Sequence, residues 1–262
     1  MTDATLTPIV DVHCHVHHAD FDADREAVLA EAQRAGIETL LIMGEGEADN
    51  ARVIELAARH PQLRPCLGLH PWFVDREDVA RVVAQVRAAH AEHPLTAVGE
   101  IGLDYFVAKT EEQRQQQRAA MRAMVELSLE LDLPLSLHSR SAGHYTIDLL
   151  EALGARRVCL HAFDGRASHA ERGAALGYYY SVPPSVVRSR QKQNLVSRLP
   201  LDSLLLESDA PALGPERGER NVPGNIALVV ETIAELKGVS AEQVRQAALA
   251  NARALFRLPA AT

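Results

Sequence analysis

The chain has 262 residues, 47% of them hydrophobic and 24% charged, enough to build a large core beneath a soluble surface. Its net charge of −8 excludes a protein that coats nucleic acid through bulk positive charge. No apolar run approaches the roughly 20 residues a membrane-spanning helix needs. Residues 1–8 carry neither the basic cluster nor the apolar core of a signal peptide. The cysteines, Cys14, Cys66 and Cys159, are odd in number and widely spaced. That pattern suits free thiols in a reducing compartment, with the cytoplasm as the default.

In chain order, apolar β-rich runs alternate with segments of helical period. The pattern predicts strand 9–16, helix 23–35, strand 37–43, helix 51–59, strand 63–69 and helix 79–90. It continues with strand 96–101, helix 111–131, strand 135–138, helix 146–153, strand 158–161 and helix 168–176, followed by strands 178–182 and 203–207. Gly36, Gly154 and Gly177 fall where a helix would close before a strand. Strands interleaved with helices predict a parallel sheet with right-handed crossovers. Eight such strands in this length predict a single α/β domain over residues 1–262, a closed (β/α)8 TIM barrel. An amphipathic segment at 241–256 predicts an extra C-terminal helix.

Asp11-Val12-His13-Cys14-His15 lies on the first predicted strand. Residues two apart share a strand face, so His13 and His15 can reach one ion while Val12 and Cys14 pack outward. Glu100, His138, His161 and Asp209 each fall at or just past the C-terminal end of another predicted strand. Active sites of barrels assemble at that rim, so these six residues form a candidate metal site. The lysines, Lys109, Lys192 and Lys237, lie away from predicted strand ends, which leaves no bridging carbamylated lysine. Glu100 takes the bridging position instead, and a bridging carboxylate suits two ions about 3.5–4 Å apart.

Seven runs in order, DVHCH (11–15), GLHP (68–71), GEIGLDY (99–105), HSR (138–140), HAFDG (161–165), ESDAP (207–211) and RN (220–221), carry a resemblance. The chain resembles the TatD family of metal-dependent deoxyribonucleases from its first strand to its final helix. HSRSAGHYTIDLLEALGA, HAFDGRAS, SVPPSVVRS and ESDAPALGPE resemble more narrowly the branch of the third human TatD-domain protein. The resemblance implies that His13, His15 and Asp209 hold one ion, that His138 and His161 hold a second, and that Glu100 bridges them. Asp209 would also orient or deprotonate the attacking water. The implied activity is hydrolysis of DNA phosphodiester bonds, as a 3′–5′ exonuclease, an abasic-site endonuclease or both. Two departures stand out: His17-His18 replaces a common Leu-Asp, and Asn-Val-Pro-Gly at 221–224 replaces Asn-Glu-Pro.

Around these residues, His70 and Arg140 are candidates for gripping substrate phosphate. Asp104 is a candidate for holding a ligand histidine or a nearby loop, and Glu207, two residues before Asp209, for facing the pocket and orienting a metal-bound water. Arg220 and Asn221 are read as pinning the last loop, and His17, His18, His60, His90, His93, His144 and His169 mostly as surface residues. The ligand set suits two divalent ions, zinc in the purified protein, with magnesium or manganese possible at work in the cell. Low aromatic content, 4%, fits short oligonucleotides or single-stranded or damaged DNA ends better than a long duplex, with no membrane partner and a monomeric chain. Trp72, Phe73, Tyr105, Phe106 and Phe163 are the candidate stacking residues. Competing readings are a lactonase or amidohydrolase on the same barrel and an idle scaffold that keeps the fold.

Overall fold

The computed structural model describes residues 6–259; residues 1–5 of the segment read for a signal peptide lie outside it. Eight strands form one parallel sheet in the order β1 to β8. They are β1 Ile9–Cys14, β2 Ile37–Met43, β3 Leu63–Leu67, β4 Ala97–Gly102, β5 Leu135–His138, β6 Val158–Leu160, β7 Tyr179–Val182 and β8 Leu204–Leu206. Helices alternate with them: α1 Arg25–Arg34, α2 Glu47–Arg59, α3 Val79–Glu92, α4 Glu111–Glu130, α5 Gly143–Ala152 and α6 Ala167–Ala175. Two further helices that the periodicity did not mark, α7 Arg190–Arg198 and α8 Ile226–Lys237, precede α9 Ala241–Phe256. The fold is a (β/α)8 barrel with an extra C-terminal helix. Just past β1 and β8, Asp209 N–H donates to His13 O at 2.9 Å and His15 N–H to Ala210 O at 2.8 Å, drawing the first and last strands together. Among the described residues no helix is long and apolar enough to cross a membrane.

Alternation along the strands divides the core. Leu40 and Ile42 of β2 pack with Val53, Val82 and Val86 from the helices, whereas Leu41 and Met43 pack with Cys66, Ala97, Cys159 and Leu205. The first group fills the layer between sheet and helices, and the second fills the barrel. Leu255 and Phe256 of α9 join the inner group. Asn251 on the same helix donates to Leu204 O at 2.8 Å, so α9 closes the N-terminal end and leaves the C-terminal rim open. On β1 the expected alternation fails. The register shifts between Asp11 and Cys14, so Val12 joins the inner cluster while Cys14 alone packs outward. A β-bulge re-aims side chains in this way.

Close backbone approach at the rim depends on glycine. A Cβ on Gly68 would stand 2.5 Å from the Glu100 carbonyl oxygen. Gly102 has φ +141° and pairs with His138, and a Cβ there would strike the His138 backbone. Neither a left-handed φ nor that approach is open to alanine without strain. Gly102→Ala is therefore expected to destabilise the fold by about 1–3 kcal/mol, read as a lowered urea midpoint. An unchanged midpoint would mean that β4 and β5 can separate freely.

Candidate metal centre

Glu100 is the centre of the site, and its two carboxylate oxygens face different partners. Oε2 lies 3.3 Å from His13 Nε2 and 3.3 Å from His15 Nε2. Both imidazole nitrogens are also 3.7 Å from Asp209 Oδ1. Oε1 lies 3.1 Å from His138 Nδ1, 3.1 Å from His161 Nε2 and 3.4 Å from His70 Nε2. The side chain is 3% exposed, so almost none of its charge is met by water. Burial alone would raise its pKa, but the surrounding histidines, His70 first, hold it well below the usual carboxylate range.

The outward-facing nitrogen of each imidazole decides what the inward nitrogen can do. His15 Nδ1 is 3.1 Å from the Met43 carbonyl, an obligate acceptor, so Nδ1 carries the proton. His138 Nε2 is 3.0 Å from Asp104 Oδ2, and His161 Nδ1 is 3.5 Å from Glu207 Oε2. His13 Nδ1 meets the Ser136 hydroxyl at 3.0 Å, which can accept as well as donate. Each of these rings can therefore turn a lone pair toward Glu100, the arrangement metal-binding histidines use. His13 Nε2 and His15 Nε2 are only 3.2 Å apart. Two lone pairs cannot meet there unless a proton or a cation lies between them, so the residues fit a divalent ion.

His70 departs from this pattern. Its Nδ1 accepts the backbone N–H of Trp72 at 3.1 Å, which leaves the ring proton on Nε2. His70, Glu100 and His138 are close enough to surround an ion, yet His70 presents a donor where a ligand would present a lone pair. It is a histidine built to give a hydrogen bond.

Charges around the two groups follow from burial and neighbours. Burial, then the charge on His161, pushes His13 down to about 4. Burial also disfavours charge on His15, but Glu100, Glu45 and Asp209 outweigh it and raise His15 to about 10. Burial pushes Asp209 up to about 6, and its φ of +53° is one that aspartate tolerates better than most residues. Asp104 is held at about 2 because the bonds from His138 and Trp72 outweigh its burial. Glu207 is fully buried behind His161 and accepts from Ala162 N–H at 3.0 Å and from the Ser181 hydroxyl at 2.5 Å. It faces His161 and the barrel wall, not the cleft.

The family model for TatD-related DNases matches residues 10–257. The chain belongs to the TatD family. It is 43% identical over 258 residues to human deoxyribonuclease TATDN3, covering 95% of this chain and 94% of the human protein. The mouse protein named putative deoxyribonuclease TATDN3 is 44% identical over 258 residues, covering 95% of this chain and 88% of its own. The crystal structure of the TatD homologue YjjV from Escherichia coli K12 superposes with a TM-score of 0.89 at 32% identity, covering 96% of this chain and 98% of that one.

This TatD chain opens its site into a cleft of about 650 Å³, whose lining includes His15, Glu45, Trp72, Arg140, Lys192 and Asp209. Arg140 is exposed at the mouth and, among the described residues, has no carboxylate within 4.0 Å; its guanidinium lies 3.8 Å over the Phe106 ring. Lys192, on the unexpected α7, donates to Ala162 O at 2.9 Å, and burial lowers its pKa despite Glu207, Asp164 and Asp209 nearby. Ser139 is 2% exposed, and among the described residues its hydroxyl has no hydrogen-bond partner. The sequence reading passed over Lys192, Ser139, Ser136 and Glu45. Glu45 follows the end of β2, so the strand-end logic applied to the other candidate residues would have found it. His17, read as a surface residue, is buried with Nε2 on Asp49 at 2.9 Å. Asn221 donates to Ser208 O at 2.6 Å and Ala212 O at 2.7 Å, and Arg220 forks onto Asp24 at 2.8 and 2.6 Å.

The tautomers yield a stoichiometric test. Asp104→Asn removes the acceptor behind His138 and is expected to weaken metal binding about 10–100-fold, measured by competition with a chromophoric chelator. His70→Gln is expected to leave the number of bound ions unchanged while His138→Ala removes one. Loss of an ion in His70→Gln would make His70 a ligand and sink the tautomer argument.

Proposed function

We propose that this chain is a two-metal phosphodiester hydrolase acting on the ends of single-stranded or damaged DNA or on short oligonucleotides, as a 3′–5′ exonuclease, an abasic-site endonuclease or both. One observation carries the reading: a single buried carboxylate turns each of its oxygens to a separate group of imidazoles. The name deoxyribonuclease borne by the human relative supports the choice of DNA.

His13, His15, Asp209 and one oxygen of Glu100 would hold one ion; His138, His161 and the other oxygen would hold the second. Divalent ions bound there supply a water of lowered pKa and offset the charge of the phosphate oxygens. Asp209, at the rim beside His13 and His15, would accept the proton of the attacking water. His70 Nε2–H, the Ser139 hydroxyl and the cations Arg140 and Lys192 are the donors for phosphate oxygens. Histidine-rich ligation favours zinc in the isolated protein, with manganese or magnesium as alternatives at work. Three free, buried cysteines accord with a reducing compartment such as the cytoplasm.

The test incubates metal-loaded protein with 3′-labelled single-stranded DNA, an abasic duplex, small phosphoesters and lactones. Phosphodiester cleavage is expected, abolished by chelation and restored by added metal. Glu100→Ala should lower the rate by roughly three orders of magnitude or more, and adding His138→Ala should cost little beyond that, because the residues act as a unit. Lactone turnover without phosphodiester cleavage would overturn the nuclease reading in favour of a small-molecule hydrolase.

A further inference from the structure

Five aromatic residues were candidates for holding a base, and the structure separates them. Tyr105 and Phe163 are buried, and Phe73 packs against the main core. Phe106 is 51% exposed, but Arg140 covers its ring at 3.8 Å and Lys109 Nζ lies 4.8 Å from its centroid. Tyr145, also exposed, is engaged by His144 with ring centroids 3.7 Å apart. Trp72 remains. It is 45% exposed, and among the described residues its only aromatic neighbour is His70, edge-on at 5.1 Å and 86°. A large aromatic face left open at the lip of a cleft is a costly thing to expose unless something covers it.

Trp72 is also held still. Its indole N–H donates to Asp104 Oδ2 at 2.7 Å, the same oxygen that braces His138 at 3.0 Å. Its backbone N–H fixes the tautomer of His70. Trp72 is thus tied to two of the three imidazoles that face Glu100 Oε1, to His70 directly and to His138 through Asp104. Trp72 forms part of the wall of two cavities: the metal cleft, and a groove of about 340 Å³ that Phe73, Arg76, Val107, Gln113 and Gln116 help to line. The mouth of the cleft offers Arg140 and Lys192 for phosphates. A rigid aromatic face beside a metal-ready cleft that also carries Arg140 and Lys192 matches an unpaired nucleotide, whose base has a π-face and whose phosphate carries the charge.

We propose that Trp72 is the platform on which the unpaired nucleobase next to the scissile phosphate stacks, with the strand continuing over it into the adjoining groove. This rests on the reading of the chain as a phosphodiester hydrolase of DNA, and it makes the preferred substrate a strand with at least one base free of pairing. Trp72 is a specificity-determining residue here. It touches the base and leaves the reacting atoms to the metal centre.

Trp72 is the only tryptophan in the sequence, so intrinsic fluorescence reports on it alone. The metal-loaded protein is titrated with a short oligothymidylate protected by phosphorothioate linkages, and with the same oligomer whose terminal nucleosides are abasic. Quenching by the first and none by the second is expected. In cleavage assays, Trp72→Ala should raise KM roughly tenfold more for unprotected oligothymidylate than for abasic-ended oligomers, the size of one base–aromatic stack. Trp72→Phe, which keeps a ring but not the bond to Asp104, should retain most of that base preference. Equal quenching by both oligomers, or equal loss on both in Trp72→Ala, would overturn the platform and reduce Trp72 to a brace for Asp104. Base-dependent quenching with no cleavage of any oligomer would instead keep the platform and sink the nuclease reading.

Discussion

The site depends on one carboxylate that has almost no water of its own. Glu100 is buried at the barrel rim with its charge met only by histidine nitrogens. An isolated buried carboxylate would be protonated or would unfold the site. Keeping it ionised therefore requires positive charge on both of its oxygens, and the imidazoles cannot all be protonated at once without repelling one another. His13 is driven toward neutrality while His15 is driven toward charge. A bound metal ion would resolve that conflict by satisfying several lone pairs and offsetting the carboxylate charge without adding a proton.

The barrel makes this arrangement by bringing strand ends within side-chain reach. Glu100 comes from β4, His13 from β1, His138 from β5, and His15, His161 and Asp209 from just past β1, β6 and β8. Glycine at 68 and 102 lets β4 approach its neighbours more closely than a Cβ would permit. Behind the rings, the acceptors are themselves anchored. Glu207 is tied to Ser181 and Ala162, and Asp104 receives the backbone N–H groups of Phe106 and Val107 at 2.9 and 3.1 Å. Rotation of the His13, His15 or His138 ring would break a hydrogen bond in this outer layer, so most of the geometry facing Glu100 is set before anything binds.

Much of this was legible in the sequence because barrels impose two simple rules: alternation along strands and function at strand ends. The strands and the residues now gathered around Glu100 follow from those rules. The failures have physical causes. Val12 and Cys14 part company because β1 carries a register shift that no single-strand pattern encodes. Helix α7, RQKQNLVSR, is nine residues long with only Leu195 and Val196 buried, too little apolar signal to mark a helix. Missing it meant missing Lys192, which enters the cleft from a helix and not from a strand end. The tautomer of His70 was also out of reach, since it depends on a backbone N–H two residues on. That bond exists only because the chain turns sharply after β3.

An acidic chain that handles a polyanion looks contradictory until the charges are located. Of the net −8, Glu100 and Asp209 lie in the proposed metal cups, where two divalent ions would more than offset them. Half of the arginines are paired with carboxylates among the described residues, as Arg87 with Glu130 and Arg198 with Glu171. Arg140 and Lys192 have no ion pair among the described residues and both line the cleft. A surface of that kind repels a long duplex and attracts a phosphate only within about a Debye length of the cleft, about 8 Å at physiological ionic strength. With few phosphates neutralised, counterion release contributes little, so the free energy of binding must come from the metal centre and from contacts to the nucleoside. The selectivity proposed for short or unpaired ends would then arise from electrostatics that fail beyond the cleft mouth, without any element dedicated to excluding duplex.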